Sequence, residues 1–338
     1  VAAGRGGLKL WIGLAISLAV SAVLLRTVEP DRLLAAFRQM EWWYLLPATA
    51  FTFASYFLRA VRWQLLLAPV KQCPLRSLYP VTIIGYMANN ILPARLGELV
   101  RAFLLAEREG IPKGTSLASL VLDRILDGFS VLVIVLVTMV LLRLPPEMAT
   151  VGEAFRGGAA MIALFYLAVL VVLGLLVFRR ALAERLVATL VRPLPERFAA
   201  SVQGGVSSFI NGVVLPADLR GWLALLTSSA AIWLTALLPI HLILLAFGLN
   251  LPFTASLFIM VFLVLAVMVP ASPGYLGTYH AACTYALMAF SVEKEKALGM
   301  AVIIHGLNFL PVIVAGFYYL WRLDLSFGRL RGVTEEKG

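Results

Sequence analysis

Long apolar segments constrain this chain more than any other feature. Residues 8–25, 43–67, 116–142, 159–178, 222–247 and 298–321 each run for about 18 residues or more with few charges, enough for a helix to cross a hydrocarbon core about 30 Å thick. In lipid the backbone must satisfy its own hydrogen bonds, so such segments fold as helices. Composition agrees, with 61% hydrophobic and 14% charged residues against about 25% charged in a soluble domain. The apolar segments occupy the whole length, so the sequence predicts an all-α polytopic membrane protein with one membrane domain over residues 1–338. The first segment lacks a small-residue cleavage site and is expected to stay as a helix rather than leave as a signal peptide.

The net charge is +10, but the basic residues sit at the ends of apolar segments. That placement fits membrane orientation and anionic lipid headgroups, and argues against nucleic acid as a partner. Cys73 and Cys283 lie far apart and offer no metal-ligand spacing, so neither a disulfide nor a zinc site is expected. Residues 30–40 place Leu33, Leu34 and Phe37 on one face of a short surface helix. Trp42, Trp43 and Tyr44 then form an interfacial aromatic belt.

Two apolar segments are interrupted. Residues 78–92 are broken by Asn89, Asn90 and Pro93, with Gly97 following, and polar sequence runs on to residue 113. Residues 253–269 are broken by Pro270, Pro273, Gly274 and Gly277 before an apolar stretch resumes at 278–290. Leu92-Pro93-Ala94-Arg95-Leu96-Gly97 aligns with Val269-Pro270-Ala271-Ser272-Pro273-Gly274-Tyr275-Leu276-Gly277. Read as re-entrant helical hairpins, these give about six full spans plus two hairpins in an inverted-topology repeat. The halves are then 1–178 and 221–338, joined by a cytoplasmic amphipathic linker at 179–220. This arrangement puts most of the 28 Lys and Arg, and both termini, on the cytoplasmic side of a prokaryotic inner membrane. Proline-kinked ordinary spans are the plainer alternative.

Charges inside an apolar run are expensive and mark function by default. Asp123, Arg124 and Asp127 lie in the span from residue 116, with Arg124 about 12 Å deep at about 1.5 Å per residue. Arg124 and Asp127 are spaced to pair, while Asp123 and Asp127 share a face and leave one surplus negative charge. Arg95 or Arg101 is the expected relief. Arg95, Glu98 and Arg101 fall on one helical face just after the first break, where a forked phosphate contact or an ordinary interfacial basic helix are both open. Tyr279 and His280 adjoin the second break. His305 and Asn308 share a face of the last span, as packing residues or a proton relay. His241 reads as structural.

Together these residues resemble the lysylphosphatidylglycerol synthase transmembrane family, which includes the flippase half of the multiple peptide resistance factor. The matching stretches are Asn90-Ile91-Leu92-Pro93-Ala94-Arg95-Leu96-Gly97-Glu98-Leu99-Val100-Arg101, Asp123-Arg124-Ile125-Leu126-Asp127-Gly128 and Pro273-Gly274-Tyr275-Leu276-Gly277-Thr278. The chain departs from the family in carrying Asp123 where Glu is usual, Tyr275 where a second Gly is common, and no acidic residue near His280. The changed second motif bears on substrate identity more than on fold. The resemblance implies two re-entrant hairpins around a lipid pathway, and movement of a charged-headgroup lipid between leaflets.

On that basis the expected substrate-binding residues are Arg95, Glu98, Arg101, Asp123, Arg124, Asp127, Tyr279, His280 and His305. The expected partners are membrane lipids, anionic or aminoacylated, with a homo-oligomer or a lipid-synthesis enzyme also open. No cofactor or metal is expected. The sequence holds no P-loop and no Ser-His-Asp set, so enzymatic action on a lipid and an accessory role beside a lipid glycosyltransferase are the competing readings. The short polar tail after Trp321 is expected to leave no room for an aminoacyl-transferring domain.

Overall fold

The structure, a computed structural model, describes residues 28–92, 96–142, 149–193, 218–268 and 273–325, together with a few residues between 194 and 217. The expected span at 8–25 lies outside these residues, as do Pro93, Arg95 and Pro270. All regular structure among the described residues is helical.

Helix α1 (Pro30–Gln39) starts with proline at its first turn, where the missing N–H costs nothing, and buries none of its residues. It lies against the end of the last helix, where Leu33 and Phe37 approach Gly299. A 3-10 turn over Trp42–Tyr44 leads into α2 (Leu45–Leu67). Helices α3 (Leu75–Ile91) and α4 (Gly97–Glu109) follow, the latter closed by Gly110 in the left-handed conformation at φ 64°. Then come α5 (Lys113–Leu141), α6 (Ala149–Phe178) and α7 (Arg180–Val191). The second part holds α8 (Leu219–Ala246), α9 (Phe253–Met268), a 3-10 turn over Pro273–Tyr275, α10 (Thr278–Met288) and α11 (Lys294–Arg322). The Asp218 carboxylate caps α8 by accepting from Gly221 N at 2.9 Å.

Among the described residues three helices are long and apolar enough to cross a bilayer: α5, α8 and α11, of 29, 28 and 29 residues. The expectation of about six full spans plus two re-entrant hairpins in an inverted-topology repeat is therefore corrected. The fold is all-α and polytopic, but an apolar run in sequence does not say whether protein or lipid covers it. Helix α2 has the length, but Arg59 and Arg62 lie within it, and Arg62 is fully buried against other helices. Helix α3 buries Leu78, Val81, Ile83, Ile84, Met87 and Ala88 on several sides, so its apolarity answers to protein neighbours.

Helix α5 shows how the sequence divides its faces. Phe129, Val133, Leu136 and Val140 are exposed along one side, as suits hydrocarbon, while Asp123, Asp127, Gly128, Val131 and Thr138 are buried on the other. Two apolar cores flank that inward face. One gathers Trp63, Leu67, Val81, Met87 and Leu105 from α2, α3 and α4. The other gathers Ile240, Phe258, Ile259, Leu287 and Met300 from α8 to α11. Helix α2 lies along α8, and α3 packs on both α4 and α11.

Candidate functional site

The site begins where α2 and α5 face one another. Arg59 and Arg62 are three residues apart on α2, and Asp123 and Asp127 four apart on α5, so each pair projects from one side of its helix. Arg62 sits between the two carboxylates. Its Nη2 is 2.8 Å from Asp123 Oδ1 and 2.6 Å from Asp127 Oδ1. Its Nε donates to Asp123 Oδ1 at 2.9 Å, and its Nη1 to Ser229 Oγ of α8 at 3.1 Å. Arg59 Nη1 reaches Asp127 Oδ2 at 3.0 Å.

The α3–α4 contact brings a third arginine. A Cβ on Gly97 would lie 2.0 Å from the Gly85 carbonyl oxygen, and one on Gly85 would lie 2.9 Å from Arg101 Cβ, so only paired glycines allow the helices this close. Arg101 Nη1 is thereby set 3.2 Å from Asp123 Oδ2. Its guanidinium lies 4.0 Å from the centre of the Trp63 ring, a desolvated cation–π contact.

Arg124 completes the group from α5 itself. It contacts Asp123 Oδ2 at 2.9 Å, Asp127 Oδ2 at 3.1 Å and Glu98 Oε1 at 3.6 Å, and donates to Tyr86 Oη at 3.0 Å. Its side chain is 39% exposed, whereas those of Arg62 and Arg101 are at 0% and 2%. Arg124 and Glu98, the latter 29% exposed, are thus the open face of a network whose other members are at 11% or less.

That face borders a cavity of about 400 Å3. Its lining combines charged and polar residues from α2 to α5, Arg59, Arg124, Asp127, Glu98, Asn89 and Asn90, with apolar ones, Val131 of α5 and Ile240, Met260, Leu263, Val264 and Phe309 of α8, α9 and α11. Tyr56, Tyr86, Tyr166 and Trp233 also line it. Four of its lining residues hold buried polar atoms without a partner among the described residues: Arg124 Nε, Trp233 Nε1, Glu98 Oε2 and Asn89 Oδ1. Buried polar atoms are nearly always satisfied, so such a group calls for polar atoms from beyond the described residues, and a ligand in the cavity can supply them.

The two interrupted segments meet at this cavity. Asn89 and Asn90 occupy the last turn of α3, whose helix ends as Leu92 turns extended. The turn at Pro273–Tyr275 takes positive φ at Gly274 (76°) and Tyr275 (55°), and Gly277 follows at 87°. Glycine adopts this conformation without steric cost, whereas tyrosine adopts it under local strain. Tyr275 faces the cavity, and His305 Nε2 bonds the Gly274 carbonyl oxygen at 2.9 Å. Behind it His305 packs 4.8 Å from both His280 and Tyr279 and 4.1 Å from Phe309. Tyr279 lines the cavity and accepts from Asn308 Nδ2 at 3.3 Å, while His280 and His305 stand outside its lining.

Of the residues singled out from sequence, the structure brings together Glu98, Arg101, Asp123, Arg124 and Asp127, with Tyr279 lining the same cavity. Arg95 is outside the described residues. Sequence reasoning missed Arg59 and Arg62 and the lining aromatics Tyr86, Tyr166 and Trp233. The two arginines stood near the end of an apolar run and read as orientation charges. Arg62 is nevertheless five residues, about 8 Å, inside the end of α2, and that depth was the available signal. They also change the charge balance: the expected surplus negative charge becomes four guanidiniums against three carboxylates among the described residues. His241 bonds Ser256 at 3.1 Å, away from this group. Among the described residues no set of three or more His, Cys, Asp and Glu is placed to hold a metal ion.

The lysylphosphatidylglycerol synthase TM region family matches residues 10–316 of the chain. The chain is 26% identical to the glycosyltransferase AglD of Haloferax volcanii over 93% of its own length and 54% of that protein, so it spans about half of this relative. It is also 23% and 24% identical to two UPF0104 membrane proteins of Methanothermobacter thermautotrophicus, over 82% and 90% of their lengths and 81% and 89% of its own.

Proposed function

The chain belongs to the lysylphosphatidylglycerol synthase TM region family, and from that premise we propose that it moves a charged-headgroup lipid between the leaflets of a prokaryotic cytoplasmic membrane. Family membership and three membrane-length helices fit a lipid-translocating membrane protein. The observation that carries the reading is the mixed lining of the cavity. Its charged residues suit a headgroup and its apolar residues an acyl chain, and a lipid needs both at once. Phospholipids, aminoacyl-phospholipids and polyprenyl-phosphate lipids all have this form. The bilayer supplies the solvent for the tails while Arg124, Asp127 and Glu98 replace headgroup hydration on the way across. Asp123, Arg62 and Arg101 hold those groups in place from behind. Tyr279 lines the same cavity, and His305 holds the turn that carries Tyr275.

The test is leaflet exchange of labelled lipids in liposomes holding the purified chain. Exchange that Arg124→Ala reduces by about 100-fold, roughly 2.7 kcal/mol in the barrier, with folding intact, supports this reading. Unchanged exchange in Arg124→Ala contradicts it.

A second reading has one observation in its favour: the chain matches about half of a protein named as a glycosyltransferase. In that reading the membrane part presents a lipid to a partner enzyme that modifies it. Lipid exchange by the purified chain alone speaks against it. A modifying enzyme that co-purifies, with no exchange, speaks for it.

A further inference from the structure

We propose that the cavity selects lipids whose headgroup carries one net negative charge and uncharged hydroxyl groups, that is, an anionic phosphodiester of a polyol, over zwitterionic and cationic aminoacylated lipids. The inference rests on the reading above only in placing a headgroup in this cavity.

The first observation is the charge balance. Arg59, Arg62, Arg101 and Arg124 face Asp123, Asp127 and Glu98, which leaves one positive charge uncompensated among the described residues. Arginine does not lose its proton in proteins, so the group cannot shed that charge as lysine or histidine would. Protonating any of the three carboxylates only increases it. Among the described residues the surplus is therefore at least one unit at every working pH. An unpaired charge inside a membrane protein is costly, and an anion in the cavity removes that cost.

The second observation is where the open donors lie. Arg124 is the most exposed cation of the group, and its Nε, like Arg101 Nε and Nη2 behind it, has no partner among the described residues. Trp233 Nε1, a donor that can never accept, is also without a partner among the described residues and lines the same cavity. Both are suited to phosphate oxygens. The unpartnered acceptors, Glu98 Oε2 and Asn89 Oδ1, sit in a neighbouring pair, since Asn89 Nδ2 lies 3.5 Å from Glu98 Oε1. They require hydrogen-bond donors. An ammonium would supply these but would restore the surplus that the phosphate had removed. Hydroxyl groups supply them with no charge.

The experiment is lipid competition on the purified full-length chain. Equal amounts of phosphatidylglycerol, phosphatidylinositol, phosphatidylethanolamine and lysylphosphatidylglycerol are offered, and the retained lipids are counted by native mass spectrometry. The two anionic lipids, one with a glycerol and one with a cyclic polyol head, are expected to be retained about tenfold over the other two. Arg59→Gln, which neutralises the described group, is expected to shrink that preference below about threefold. Glu98→Gln, which doubles the surplus, is expected to widen it. Equal or greater retention of phosphatidylethanolamine or lysylphosphatidylglycerol by the wild-type chain overturns the proposal, with no variant needed. So does retention of none of the four. Leaflet exchange measured in parallel separates the two readings. Equal exchange and retention of all four lipids sinks the selectivity and leaves translocation standing. Anionic retention without exchange sinks translocation and leaves the selectivity.

Discussion

At the residue scale the enclosed arginines and the open one are predicted to behave differently. Arg62 is fully buried and shared by two carboxylates, so removing it strands both. Breaking a buried ion pair from one side costs about 3–5 kcal/mol. Arg62→Met and Asp123→Ala are each expected to lose about that much stability, read as a lower unfolding midpoint in detergent or nanodiscs. A loss under about 1 kcal/mol would mean the network is solvated. Arg124→Gln, on a side chain already partly open, is expected to lose transport with a much smaller loss of stability. Cys73 offers an independent check on packing between α2 and α3. It is buried, its carbonyl oxygen accepts from Gln64 Nε2 at 2.7 Å, and burial, with Glu109 nearby, pushes its thiol above the ordinary value. Cys73 is expected to resist maleimide at neutral pH until the chain unfolds. Rapid labelling of the folded protein would contradict this packing.

At the element scale, two contacts set the shape of the cavity. The first is the glycine pair of α3 and α4. In Gly97→Leu the side chain has no room against the Gly85 carbonyl, so the helices must part and Arg101 must leave Asp123. A stability loss of at least about 1–3 kcal/mol, typical of overpacking, is expected. The second is the bond from His305 to the Gly274 carbonyl. His305→Ala removes about 1 kcal/mol of net hydrogen bonding. Amide exchange across residues 273–277 is expected to rise about fivefold. Unchanged exchange would show that packing alone holds this turn.

The sequence marked these elements unevenly. Asp123, Arg124 and Asp127 were legible because a charge in the middle of a long apolar run is too costly to stand there without a partner or a ligand. Arg59 and Arg62 were not, because charges near the end of a span are also what the membrane interface selects. The interruptions after Asn90 and around Gly274 were legible from proline and glycine. What surrounds each apolar segment was not, because the apolar side chains of α3 are buried against other helices, which the run of residues alone does not show.

At the scale of the whole molecule, the fold sets one ionic group beside two apolar cores and leaves a cavity between that group and the core of α8 to α11. A lipid path needs this arrangement: a fixed polar site within reach of hydrocarbon, held by helices that do not depend on the ligand for their packing. The exposed apolar faces of α5 and α11, with Val140, Leu310, Val314 and Trp321, suit the bilayer on the outside. The central claim is that the lipid occupies the cavity. Ala236 lines it without joining the ionic network, so Ala236→Trp fills the space and leaves the charges in place. The measurement is lipid leaflet exchange by Ala236→Trp against wild type in the same liposomes, at matched unfolding midpoints. The account predicts a fall of at least about tenfold, or about 1.4 kcal/mol in the barrier. Exchange at the wild-type rate with the cavity filled would contradict it.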